Sequence, residues 1–597
     1  MRRKSYITIA GIFSTLLFFT VLACRSPTSS PPPQPPTGYD PVTLSDTYPG
    51  SGDQAFLVST SEAVELSYSL HSLSGQDVYF VLTNTELSKP VANPWVRGSS
   101  EYVTPKPRVV TPESGPGEPF PMAPTPPEIE RFNNDPFGVI SLSPYPAPRG
   151  ITPFRPPSPA FYTEEDQEDL FDRDETAVSA TVRKIVTADT TFGVKSVVVW
   201  VDDALWSESD TPLPGKVSPQ MVSVLAEKFL RPDSDNDICD WVGGIFGDEW
   251  GPHPYDFLID DNGEIHILLY DIDGDGFPAE GESRVWGFYS AVNNFDRTDS
   301  GSDLDYSNER IMFYLDAPIF AHDTDEDGTW EIDEDYCPSN MLSVLAHEYQ
   351  HMIHFYQKIV LKDASDWSAT WLNEMASMVA EDFVSRLLGV KGPRGIDPND
   401  GTAGSPYIRS GRLPLFVAAN DTSVTDWQEG EDVLNSYSVA YAFGAYLARN
   451  FGGPQFFRNL VQCSETDYKA VEYALQQAGF THTFEEILRK WGVAVLLSDN
   501  TEMGGTGTEY NRDDWFSSTL VPPDTISYDL GSINMYNYQY GSQEGLYIYS
   551  GDGSVGPADG QQPASNLLFL AGQDLYGTQT WTVWLPDSVK LSVVIKD

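Results

Sequence analysis

Cysteine is scarce in this chain, and the few present are too scattered to build a metal knuckle. Cys24, Cys239, Cys337 and Cys463 include no Cys-x-x-Cys pair, which excludes a cysteine zinc knuckle. With Cys24 set aside, the other three permit one intrachain disulfide and one spare thiol; Cys239 with Cys337 is the expected pair, because both flank acidic loops of one region. Basic residues are also short. The chain has 36 Lys and Arg against 87 Asp and Glu, a formal net charge of -51. Such a surface repels phosphate backbones, so nucleic acid is excluded as a partner. Excess carboxylate is compatible with cation binding, although solubility alone also accounts for it. Long apolar runs are absent except at the N-terminus, so no other segment is fit to span a bilayer.

What is present begins with that one run. Arg2, Arg3 and Lys4 precede an apolar stretch from Tyr6 to Ala23, the layout of a signal peptide over 1–24. Val21-Leu22-Ala23-Cys24 resembles a bacterial lipobox, which implies lipidation at Cys24 and a membrane held through that lipid. Leu22 is bulkier than the residue usual at its position. A proline-rich tether, 25–40, follows. Short β-rich runs separated by Gly, Ser and Asn predict a β-rich N-terminal domain over 41–103. Residues 101–160 hold 17 of the 46 prolines, and 104–178 reads as a linker. Strand signal resumes at Ser196–Val201, and helical periodicity runs from Met341 to Leu497, within a domain at 179–500. Alternating apolar positions return in a β-rich C-terminal domain, 501–597. The expected class is α+β.

The chemistry concentrates in SVLAHEYQHMI, Ser343–Ile353. On a helix, residues four apart share a face, so His347 and His351 point the same way and can meet one Zn²⁺. Glu348 stands one position round, near the metal yet free to carry a proton. Pro338-Ser339-Asn340 is the expected cap. Two ligands do not hold a catalytic zinc. Downstream, Trp371-Leu372-Asn373-Glu374-Met375-Ala376 opens a second helical pattern that continues to Leu388. His354 lies one turn past His351 and reads as a packing residue. Glu381, two turns beyond Glu374, is a candidate to orient a zinc histidine.

HEYQHMI followed by WLNE resembles the gluzincin metallopeptidases, and that likeness makes Glu374 the third zinc ligand. Over roughly 190–500 the chain is most similar to the hyicolysin family, through FGDEWGPHPYDFLIDDNGEIHILLYDIDGDG, YSNERIMFYLDA, SVLAHEYQHMIHF, WLNEMASMVAED and SYSVAYAFGAYLARNFGG. The resemblance implies a zincin-like metallopeptidase domain, a small mixed sheet with active-site helices, between the two β-rich regions. It implies a zinc metalloendopeptidase acting on protein or peptide substrates, and the signal layout over 1–24 places it outside the cytoplasm at the cell envelope. No Gly-x-Met-Glu-Asn-type segment of the kind that fixes a free amine precedes the helix, which favours cleavage within chains. The stretch from His351 to Glu374 is longer than in thermolysin-type enzymes. Met375 stands where many relatives carry glycine, a change expected to narrow the cleft. Tyr437 matches, in spacing, the tyrosine of the aminopeptidase-N family helix that steadies the transition state; the alternative is that Tyr437, Tyr441 and Tyr446 form an aromatic helix face.

Two acidic loops add a second expectation. Asp271, Asp273, Asp275, Gly276 and Glu282 satisfy the D-x-D-x-D-G-x5-E calcium pattern, and Asp323, Asp325, Asp327, Gly328 and Glu334 satisfy it again. Both could equally be solvated acidic turns, since neither is flanked by clear helices. The competing reading of the whole chain is a calcium-stabilised surface adhesion lipoprotein with a vestigial peptidase domain. Intact HExxH and Asn-Glu motifs argue against decay.

Overall fold

The computed structural model describes residues 41–58, 62–98, 122–140, 162–209, 213–232, 237–274, 276–277, 283–297, 304–325, 327–362, 367–398, 404–500, 516–520 and 526–597. The signal segment, the tether and Cys24 lie outside them. Among the described residues no helix is long and apolar enough to cross a membrane.

A six-stranded mixed sheet forms the centre. Its order is Gln167–Phe171, Ala177–Thr190, Gly193–Asp202, Glu264–Tyr270, Met312–Asp316 and Gly287–Tyr289. Gly193–Asp202, Glu264–Tyr270 and Met312–Asp316 run parallel to their neighbours in that trio, and Gly287–Tyr289 closes one edge antiparallel to Met312–Asp316. The run SVVVWV is apolar throughout because both faces are covered. Val197, Val199 and Val201 face one core with Ile265, Ile267 and Phe313, while Val198 and Trp200 face another with Leu268 and Tyr314. That is the period-two alternation of a pleated strand.

Helices pack on the first of these faces. A histidine helix, Tyr336–His354, lies against a glutamate helix, Thr370–Leu388, which in turn packs on a tyrosine helix, Val433–Asn450. The histidine helix starts earlier than its expected cap. Pro338 sits in the first turn, where a missing N–H is harmless, and Asp335 precedes the helix. Gly389 ends the glutamate helix in the left-handed conformation that glycine adopts without strain. Gly444 serves a different need: a Cβ there would meet Met375 Cγ and Val379 Cγ2 at 2.7 Å, so its bare backbone lets the glutamate and tyrosine helices close together. Met375 therefore packs between helices instead of narrowing the cleft.

Three sequence expectations are corrected. The two β-rich ends are not separate flanking domains. Val64–Asn84 pairs antiparallel along its length with Ser565–Leu585, and with Val589–Lys596, in one eight-stranded sheet. This sheet docks on the helix Phe484–Leu496, where Arg489 donates to the carbonyls of Val58 and Leu591 at 3.0 and 2.9 Å. Second, the segment 104–178 is more than a linker. Residues 122–140 include a helix, Pro127–Asn134, with Phe132 and Asn133 buried, and Gln167–Phe171 is a strand of the central sheet. Proline at helix starts, rather than spacer composition, explains Pro126, Pro127 and Pro136.

Third, Cys239 and Cys337 are free and buried. Cys239 Sγ lies 3.4 Å from the hydroxyl of Tyr349. Tyr349 and Cys337 sit at opposite ends of the histidine helix, roughly 18 Å apart along its axis, well outside disulfide reach. Reductant should therefore leave the melting temperature of the folded protein unchanged, and all three buried thiols should titrate after denaturation without reduction. A reductant-sensitive melt would contradict this arrangement.

Candidate metal centre

The first turns of the glutamate helix approach the histidine helix at the level of His347 and His351, and three side chains meet there. His347 Nε2 and His351 Nε2 are 3.0 Å apart. Glu374 Oε2 lies 3.3 Å from His347 Nε2, and its Oε1 lies 3.5 Å from His351 Nε2. All three residues are buried, and their donor atoms fall within 4.8 Å of one another, a group able to hold a metal ion. Glu374 Oε2 is a buried oxygen without a hydrogen-bond partner. A buried carboxylate that turns one oxygen to each imidazole nitrogen is what a cation between them would satisfy. Two nitrogens and one carboxylate oxygen suit zinc.

The surrounding residues fix the rings. His347 Nδ1 is 2.8 Å from Glu381 Oε1, and Glu381 Oε2 accepts from Ser343 Oγ at 2.7 Å. His351 Nδ1 is 3.0 Å from Asn373 Oδ1 and 3.0 Å from Ser377 Oγ. Each imidazole is thus held through Nδ1, which leaves Nε2 turned to the shared point. Asn373 is fixed in its turn by donating to Asn134 Oδ1 at 2.8 Å, from the supposed linker. Sequence reasoning found Glu381 by helical spacing and missed Asn373, Ser377 and Asn134 as supports. The Asn-Glu dipeptide was the available signal for the first.

The charges do not relax into ordinary titration. Burial pulls the His347 imidazolium down, but Glu374 and Glu381 outweigh it and push the group up to about 10. His351 goes the other way, to about 4, because burial and the neighbouring His347 outweigh Glu374. Burial raises Glu374, yet His351 and His347 hold it below the usual carboxylate range. Without a metal the pair holds one positive charge, on His347. Glu348 is pushed up to about 7, first by burial and then by Glu374, against the pull of His347. Its Oε2 accepts from the backbone N–H of Tyr289, on the edge strand, at 2.7 Å.

Tyr437 lines the same cavity as His347 and Glu348, which Trp286, Gly287, Glu381 and Arg412 also bound. Its ring packs on Trp427, with centroids 4.9 Å apart, and lies beneath the Arg412 guanidinium at 5.3 Å. Tyr441 and Tyr446 do not join it: Tyr441 is buried near Asp382 and Arg449, and Tyr446 stacks edge-on with Phe451. His354 Nε2 lies 2.9 Å from Ser368 Oγ, away from the metal group. Arg412 and Glu130 were missed in the sequence. Glu130, on the helix Pro127–Asn134, is pushed up to about 9 by burial and by Glu374.

The acidic loops fare differently from expectation. Asp275 and Glu282 lie outside the described residues. Asp273 pairs with Arg173 at 2.9 Å and Asp271 accepts from the amide of Gly276 at 2.8 Å, so protein donors occupy carboxylates expected to converge on calcium. Asp323, Asp325 and Asp327 do gather within 4.8 Å, but Glu334 does not join them. Their oxygens accept from Gly328, Asp327 and Thr329 amides at 2.9, 3.1 and 2.8 Å, which closes the turn by itself. Exposed acidic groups commonly gather in this way without an ion.

Replacing Glu381 with Ala should weaken zinc affinity about 10–100-fold by freeing the His347 ring, as read by competition with a chromogenic chelator. Equal affinity would show that Glu381 does not orient His347.

A family model described as Peptidase M30 matches residues 174–531, more than half of the chain and the whole of the metal group. The neutral metalloprotease ShpI of Staphylococcus hyicus is 27% identical over 288 residues, which is 48% of this chain and 53% of that protein. The chain thus spans about half the length of this curated relative. On the match to 174–531, the chain belongs to the peptidase M30 family.

Proposed function

We propose that the chain is a zinc-dependent endopeptidase of the HExxH-plus-glutamate type, with His347, His351 and Glu374 as ligands. The convergence of these three side chains within 4.8 Å carries the reading. Zinc bound there supplies a Lewis acid that polarises a carbonyl and makes water a nucleophile near neutral pH. Glu348 takes the proton of the attacking water and returns it to the leaving amine. One of its oxygens accepts from Tyr289 N–H, which fixes the carboxylate while the other oxygen stays available. A group pushed up to about 7 can both accept and release a proton at neutral pH. Tyr437, kept protonated by burial, donates to the oxygen that gains negative charge as the carbonyl is attacked. Glu381 and Asn373 keep both imidazoles in the tautomer that presents Nε2. Protein and peptide chains are the proposed substrates, and the name of the metalloprotease relative supports this.

We also propose export, with anchoring through lipid on Cys24. The basic start, the apolar run and Val21–Cys24 support it.

Glu348→Gln should retain zinc at one equivalent and lose casein hydrolysis by a factor of at least about 10². Wild-type turnover by this variant would remove Glu348 as the base. Tyr437→Phe should lower kcat about 10²–10³-fold with KM little changed, because the lost donor acts on developing charge. A rise in KM alone would instead make Tyr437 part of the substrate-binding wall.

A further inference from the structure

Residues Met122–Thr125 enter the metal cavity from a stretch whose composition marks it as spacer. Met122 forms a parallel bridge with Arg284, and the Ala123 N–H donates to the Arg284 carbonyl at 2.6 Å. Arg284 leads directly into Gly287–Tyr289, which is bonded to the central sheet on one side only. Tyr289 has both backbone groups taken, its N–H by Glu348 and its carbonyl by Asn133, so an extended chain laid beside this edge pairs toward Arg284. The strap lies there, bridged at Arg284 just before the strand. Met122, Ala123, Pro124 and Thr125 bound the same cavity as His347, Glu348 and Tyr437.

A second cavity, bounded by Met122 but by none of Ala123, Pro124 and Thr125, reaches Tyr336 and Asn340. Met122, Trp286, Glu381 and Arg412 bound both cavities. The two spaces thus adjoin, with Met122 in the wall between them. Immediately after the strap the chain is pinned. Asn133 donates to the Tyr289 carbonyl and accepts from Ala291 N–H, both at 2.7 Å, and the Asn134 carbonyl accepts from Ser368 N–H at 3.0 Å. The strap itself is held far more lightly. Pro124 has no N–H to continue the ladder, so among the described residues the Ala123 amide makes the one backbone hydrogen bond to this edge, with the Met122 and Ala123 side chains packed beside it. Prolines at 124 and 126 also hold Ala123 and Thr125 extended, which lowers the entropy lost by lying in the groove.

We propose that Met122–Thr125 is a built-in occupant of the peptide groove: an extended substrate pairs with the same edge near Arg284 and must first displace Met122. The proposal deepens the peptidase reading and rests on it for the identity of the ligand. It makes the resting enzyme self-covered, with only the groove-competent fraction open to substrate.

The test uses the full chain, zinc-loaded and carrying Glu348→Gln so that nothing is turned over. The probe is a fluorescein-labelled peptide PFPMAPTPPE, and its Kd is read by anisotropy. Adding Met122→Ala or Ala123→Pro should tighten binding by at least about fivefold, because a closed fraction no longer weakens the apparent affinity. In the otherwise native chain, Met122→Ala should lower KM for an internally quenched casein-derived peptide by the same factor and leave kcat unchanged. Equal Kd for the parent and Met122→Ala overturns the proposal, as does an unchanged KM in an active enzyme. Tighter probe binding together with no hydrolysis by any form would sink the peptidase reading while the strap assignment stands. Met122→Ala removes only a half-buried side chain, so a native melting curve for it guards against misreading an unfolded Ala123→Pro.

Discussion

Burying His347, His351, Glu374 and Glu348 side by side sets the terms for everything around them. Each of these groups is expensive to bring out of water alone, and together they cannot all hold their ordinary protonation states. The opposite shifts of two imidazoles only 3.0 Å apart express that conflict: there is room for one positive charge, and His347 holds it. A divalent ion resolves the conflict better than a proton, because it satisfies both nitrogens and the unpartnered Glu374 oxygen at once. Glu381 and Asn373 then become intelligible. A carboxylate and an amide beside two imidazoles would be costly decoration in an apolar core, but they are the partners that histidines poised to bind a metal require.

A cluster of this kind demands a rigid frame, and the frame is built from the far side of the histidine helix. Tyr349 points away from the metal and donates to Glu249 Oε2 at 2.9 Å. Glu249 is in turn paired with the buried Lys195 at 2.7 Å, on the strand Gly193–Asp202. Lys195 also reaches Asp248 at 2.8 Å. Burial alone would neutralise these groups, and the ammonium keeps Glu249 below the usual carboxylate range. One helix is thereby bonded through its front face to the glutamate helix and through its back to the sheet. A second ion pair, Arg449 with Asp382 at 2.9 Å, performs the same service between the tyrosine and glutamate helices. Rotation of any of these helices would break a buried charge pair, so the metal geometry is stiff by construction.

The legible parts of this protein are those whose signals are local. His347, Glu348 and His351 are set by a four-residue spacing, and the Asn-Glu pair falls in its own helical period. The central strands read correctly because SVVVWV is apolar on both faces. What escaped has a physical reason in each case. Pairing of Val64–Asn84 with Ser565–Leu585 joins residues near opposite ends of the chain, and strand alternation carries no record of its partner. The helix Pro127–Asn134 was hidden because proline serves both spacers and helix starts, and composition counts the two alike. The calcium pattern matched as text, but Arg173 answers Asp273 from a distant turn. Arg412 had no motif at all; only the fold brings it over Tyr437.

The meeting of the chain ends bears on how the groove is reached. The N-terminal strands are locked into a sheet whose other strands come from the C-terminus, and that sheet is docked on the helix Phe484–Leu496 by Arg489. The chain therefore leaves a fixed point at Trp95–Arg97 and returns to a second fixed point at Pro127–Asn134, beside the metal. A segment tied at both ends, one of them beside the cavity, stays at high effective concentration near it, however weak its own contacts are. One backbone hydrogen bond and the packing of Met122 and Ala123 suffice to hold the strap for that reason. A longer-lived cover would need more contacts than Met122–Thr125 makes, whereas a free peptide of the same sequence would need far more to bind at all. The tethering converts a weak contact into an occupied resting state that a substrate with better contacts along the edge can still win.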